Sequence, residues 1–152
     1  PPGAVFFGLY IGMGLRRKSR ELALQFLFSH DFQEHPGSPA AVEAELELFC
    51  QIFDASTKAL PYARHLILGI AAHTDEIDAL LAEHSHNWRV ERMSQVDRNI
   101  LRIAVYEMLH GEDTPVQVAI NEALEVAKRY SIDESVPFIN GILDAVQSRV
   151  AG

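Results

Sequence analysis

Between residues 16 and 148 the apolar side chains recur every three or four positions, and no stretch alternates with period two for long enough to make a strand. Such a chain can only fold as helices that bury their apolar stripes against one another. Leu22, Phe26 and Leu27, widened by Leu24 and Phe28, predict a helix near 16–33, broken by His35-Pro36-Gly37. Ser38 at an N-cap with Pro39 in the first helical position opens a second helix to Asp54, with Val42, Leu46, Phe49 and Phe53 on one face. A third, about Pro61 to His84, carries Leu66, Ile70, Ile77, Leu80 and Leu81, and Gly69 inside it marks close helix packing rather than a break. Asn87 to Met93 is short and charged, with Trp88 as its anchor.

The capping pair Ser94 and Asp97 begins the stripe Val96, Ile100, Leu101, Ala104, Val105 and Met108, which Gly111 closes. Thr114-Pro115 with Gln117 opens a helix to Tyr130. The last helix starts around Asp133 to Val136, tolerates Pro137 in its first turn and carries Phe138, Ile139, Ile142, Leu143 and Val146. The expected architecture is a single-domain, all-α bundle of about seven helices.

The 152 residues fit one domain with a core large enough to need no staples. Cys50, the single cysteine, excludes a disulfide framework and any cysteine-based zinc site, fits a reducing cytoplasm, and reads as an inert thiol in an apolar helix. No apolar run approaches the ~20 residues of a membrane span, so no membrane partner is expected. Residues 1–12 are apolar and uncharged, and the positive charges follow them, the reverse of a secretory signal. We therefore expect 1–14 to be an N-terminal extension, either disordered or an expression remnant, and 15–150 to be the folded domain.

The formal charge of −8 argues against indiscriminate nucleic-acid binding, but its distribution is uneven. Arg16, Arg17, Lys18 and Arg20 fall within five positions, and the nine remaining basic residues face all 21 acidic ones, leaving −12 outside the cluster. On a helix, 16 and 20 share a face and 17 lies beside 20. Basic residues at a helix start oppose the helix dipole, so helix stability does not account for them. Such an array can hold backbone phosphates, and its arginines can stack on bases. Four cations on four phosphates would give a salt slope near −3, about fifty-fold in affinity between 50 and 200 mM salt.

Other constellations carry less. The seven histidines show no i, i+4 pairing: His84 and His86 are two apart, and neither His73 with Asp75 nor His30 with His35 converges, so no metal site is expected. There is no Walker loop, nucleophile elbow or dinucleotide fingerprint, hence no cofactor and no catalytic residue. Glu122 with Glu125, and Asp75 with Asp78, read as solvated helix faces. Asn121 and Asn140 interrupt apolar stripes and either tie helix ends together or contact a ligand. Phe138, near a helix start, is either core or a stacking platform.

Taken together, RRKSRELALQFLF, VDRNILRIAVYEM, TPVQVAINEALEVAKRY and VPFINGILDAV, in this order, resemble the NusB family of bacterial transcription antitermination factors over about residues 16–148. The resemblance implies a seven-helix fold without enzymatic activity. It implies binding of boxA-type single-stranded RNA in nascent ribosomal RNA transcripts, together with the ribosomal protein NusE, and action on RNA polymerase. It assigns RNA contact to Arg16, Arg17, Lys18, Arg20 and Gln25, and to a second region at Glu134, Ser135, Phe138 and Asn140. There Val136-Pro137 departs from the family's more polar residues. It assigns partner contact to Glu91, Asp97, Tyr106 and Glu107. A homodimer that buries the basic start is a further expectation. The competing readings are a helical protein-interaction adaptor and a detached NusB-like domain of an RNA cytosine methyltransferase. Against the second, the chain ends at Gly152, directly after the module.

Overall fold

The computed structural model describes residues 2–30, 38–52, 57–85 and 93–151, all helix and short connections. Six helices follow in order among the described residues: α1 (Pro2–His30), α2 (Pro39–Ile52), α3 (Leu60–His84), α4 (Gln95–His110), α5 (Val116–Tyr130) and α6 (Ser135–Ala151). The all-α bundle expected from the periodicity is thus observed, with six helices in place of about seven. The His35-Pro36-Gly37 break, Phe53, Asp54, His86, Trp88 and Glu91 lie outside the described residues.

The first helix corrects one expectation. It starts at Pro2 rather than near 16.

Helix α4 is the axis of the bundle, packed against α1, α3, α5 and α6. Leu101, Val105 and Ile100 on α4 meet Leu66, Ile77 and Leu143 in the fully buried centre. Its start is the capping pair read from the sequence: the Ser94 hydroxyl accepts from the Asp97 N–H at 3.1 Å. Its end is the Gly111 N–H donating to the Glu107 carbonyl at 2.9 Å. The N-cap at Ser38 is also observed, its hydroxyl accepting from the Ala41 N–H at 3.3 Å. Thr114 does not cap α5. Pro115 holds the cap position without a side-chain bond, and the Thr114 hydroxyl turns toward Glu107 at 3.4 Å instead.

Gly69 does mark a close approach: a Cβ there would overlap the Tyr106 ring, so α3 and α4 can come this near only because residue 69 has no side chain. Four residues further on, α3 bends. His73 leaves helical geometry (φ −123°, ψ 18°). The following Thr74 hydroxyl donates to the Ile70 carbonyl at 2.7 Å, the back-bonding that bends helices.

Candidate nucleic-acid interface

The basic cluster sits on α1 where that helix crosses α3, α4 and α5. The helix divides its four cations between solvent and core. Arg16 and Lys18 are exposed, Arg17 is half-buried, and Arg20 is only 5% exposed. Arg20 lies one turn before Leu24 on the buried stripe, so its guanidinium points inward. There Nε and Nη2 donate to the two Glu107 carboxylate oxygens at 2.8 and 2.9 Å. Burial alone would pull the Arg20 pKa down. The hydrogen bonds and negative charge of Glu107 outweigh it, and the net displacement is upward. Arg20 is therefore corrected from phosphate ligand to core ion-pair partner.

Arg17 is similarly engaged, its Nε and Nη2 donating to Glu122 at 2.8 and 3.1 Å, which raises its pKa. Glu122, expected on a solvated face, is buried. Its carboxylate also stands 4.0 Å from Arg20 Nη1, so two arginines and two glutamates close one neutral network. The Tyr62 hydroxyl completes it by donating to Glu107. Burial first, and that bond second, push the Tyr62 phenol above its ordinary pKa.

Outside this network the Arg16 guanidinium lies 3.7 Å from the centre of the Tyr62 ring. Cation–π attraction seats the guanidinium over the ring while the Arg16 side chain stays exposed, open to a base or a phosphate. One turn beyond Glu21, the exposed Gln25 reaches the Tyr130 hydroxyl at the end of α5. Tyr130 also donates to Glu21 at 3.1 Å, and exposed Arg129 pairs with the same carboxylate at 3.2 Å. Arg129 and Tyr130 were not singled out from the sequence, because cations in a last helical turn already serve the helix dipole.

From Tyr130 the chain passes through Ser131 and Ile132 into a cleft of about 300 Å³ bordered by Met93, Ser94, Asp97, Glu134, Ser135 and Phe138. Phe138 is half-buried, core on one side and cleft wall on the other. Glu134 is exposed at the rim. The Ser135 side chain is not available to a ligand. It is buried and donates to Asp97 Oδ2 at 2.7 Å, while Ser131 donates to Oδ1. Asn140 is half-buried, and Asn121 is exposed and accepts from Gln117 at 3.1 Å, so it ties no helix ends together.

Of the residues assigned to partner contact, Asp97, Tyr106 and Glu107 are placed inside, and Glu91 lies outside the described residues. Asp97 is 7% exposed, Tyr106 6% and Glu107 1%. Asp97 is consumed by Ser131 and Ser135, Glu107 by Arg20, Tyr62 and Thr114, and Tyr106 by packing onto Gly69. These three hold helices together. The signal that could have found Glu107 and Glu122 is their position on apolar stripes, Ile103–Glu107 and Ala119–Glu122–Val126. Cys50 is half-buried, and burial pushes its thiol pKa up. No described helix is long and apolar enough to cross a membrane.

This helix arrangement is shared with known proteins. The transcription antitermination protein NusB of Desulfotalea psychrophila is 46% identical over 137 residues, 90% of this chain and 97% of its own length. That of Desulfosudis oleivorans is 46% identical over 140 residues, 92% and 90% of the two chains. The solved NusB of T. maritima superimposes with a TM-score of 0.73 at 37% identity, covering 88% of this chain and 90% of that one. A structure of the antitermination factors NusB and NusE in complex with dsRNA shares the fold, with a TM-score of 0.72, 24% identity and coverage of 90% and 98%. The NusB family matches residues 17–148, a span that holds α2 to α5 whole and the basic edge from Arg17 onward, and the chain belongs to that family.

Proposed function

We propose that this chain is a non-enzymatic, RNA-binding transcription antitermination factor. It takes boxA-type RNA of nascent ribosomal RNA transcripts along the outer edge of α1 and the α5–α6 turn. It acts in the cytoplasm with NusE, a small-subunit ribosomal protein, and brings the pair to RNA polymerase. Its relatives carry the name of an antitermination protein, and a fold neighbour was solved with NusE and RNA.

The observation that carries this reading is the sorting of the basic cluster. With Arg17 and Arg20 compensated by Glu122 and Glu107, Arg16 and Lys18 remain as the outward charges of the cluster. Arg16 is held over the Tyr62 ring. Phosphates meet Arg16 and Lys18. A base enters the cleft beside Phe138, where the carboxylate of Glu134 favours the amino edge of a base over a phosphate.

Two outward cations on an acidic body bind RNA modestly, so a basic partner docked on exposed acids such as Glu112 and Asp113 extends the track and raises affinity. Titration of boxA-type RNA at two salt concentrations, with and without NusE, tests this. Equal affinities end the cooperative part, and an Arg16→Ala/Lys18→Ala variant that binds RNA like the parent ends the α1 part. A homodimer covering the α1 edge would hold the site closed. Sedimentation with and without RNA checks it, because a constant mass excludes release by RNA.

A further inference from the structure

The geometry points to a second, separate site: His73, Glu76 and His110 form a three-ligand site for a divalent transition cation of the zinc class, joining α3 to α4. Sequence spacing gave His73 no convergent partner, because the second imidazole comes from another helix. Glu76 Oε2 lies 3.2 Å from His73 Nδ1 and 3.4 Å from His110 Nε2. The two imidazoles stack with centroids 4.0 Å apart, and one ligand atom from each of the three residues lies within 4.8 Å of the others. Donors about 2.0–2.2 Å from a tetrahedral zinc stand about 3.4 Å apart. Two of the three separations already match, and the third needs only a small rotation of half-exposed rings.

The local backbone serves this arrangement. His73 is the residue at which α3 leaves helical geometry, so the bend re-aims its ring across to α4. Beneath the pair, the buried Tyr106 ring lies 6.2 Å from His73 and 5.4 Å from His110, an apolar floor that fixes both. The cluster is about 16 Å along α3 from Tyr62, clear of the RNA-facing edge. Two imidazoles and one carboxylate suit zinc, nickel or copper and disfavour magnesium and calcium, which prefer oxygen donors. The three protein ligands leave a fourth position for water. Without a cation, one carboxylate can hydrogen-bond to both rings, which is the reading the experiment must exclude.

Untagged, metal-stripped full-length protein is titrated with zinc by calorimetry, and with cobalt(II) followed by its visible absorption. One zinc per chain is expected, with the His73 and His110 ring signals shifting together in NMR spectra. Glu76→Gln, on the exposed surface, and His110→Asn should each weaken zinc about tenfold or more, while His65→Asn on the same helix leaves it unchanged. Magnesium should produce none of these changes. Circular dichroism and RNA binding of each variant establish that it is folded. Zinc uptake only at millimolar concentration overturns the site, as does uptake equal in parent, Glu76→Gln and His110→Asn. So does an NMR shift that spares either ring.

Discussion

Arg20 and Glu107, 87 positions apart in the chain, face each other inside the bundle with both guanidinium–carboxylate hydrogen bonds made. Removing one member strands the other charge where water cannot reach it. Arg20→Met is therefore expected to destabilise the fold by about 3–5 kcal/mol. Replacing both, in Arg20→Met/Glu107→Leu, should cost clearly less than the two single changes added. Urea unfolding of the four proteins measures this, and additive losses would contradict the pairing.

At the α3–α4 crossing, Gly69→Ala puts a methyl into the Tyr106 ring. Helix propensity alone would favour alanine by about 1 kcal/mol. Overpacking of a buried ring outweighs it, and a net loss of about 1–3 kcal/mol is expected. Trimming the ring with Tyr106→Leu in the Gly69→Ala background should recover part of it. Thermal unfolding reads both, and a stabilised Gly69→Ala protein would refute the close crossing.

Salt dependence of RNA binding distinguishes the sorted cluster from an open one. Four outward cations predict a slope near −3, whereas Arg16 and Lys18 alone predict a slope of about −1.4, or about sevenfold between 50 and 200 mM salt. Losing either should remove about 0.7 from the slope. Arg20→Met should leave the slope where it was while lowering stability. Fluorescence titrations over that salt range give the slope directly.

In alkali the half-buried phenol of Tyr62 becomes a liability. Its pKa is raised in the folded protein above the unfolded value of about 10. Between these values the unfolded chain has released a proton that the native state still holds. The contribution is thus complete below about pH 10 and is lost as pH rises through the folded value. Tyr62→Phe should flatten that decline. At neutral pH it should weaken the fold by about 1.5–3 kcal/mol through loss of the bond to Glu107. Unfolding free energies at pH 7, 9 and 11 decide this.

The parts of the fold readable in advance are those written in neighbouring residues. Ser38, the Ser94–Asp97 pair and the helical stripes each act within a turn or two of themselves, and Gly69 stands out inside its own helix. The site was legible only as a region. Four cations in a row say that a positive edge exists, but which of them faces outward depends on acids supplied by α4 and α5. Arg20 does fall on the Leu24–Leu27 stripe, yet an arginine there is interpretable only once Glu107 is known to sit opposite. The same limit hid His110 from His73, and it left Asp97 and Glu107 looking like surface acids. Periodicity reports which face of a helix is inward without naming what meets it.

The bidentate grip of Glu122 on Arg17 and of Glu107 on Arg20 makes neighbouring cations unequal in what can replace them. At position 18 a flexible strand needs only a plus sign, and lysine suffices. At 17 and 20 a planar acid is met at two points by a rigid fork, and an ammonium, reaching one oxygen at a time, would leave the other stranded. A run that looks uniform in spelling thus holds two grammars, one tolerant of exchange and one that forbids it.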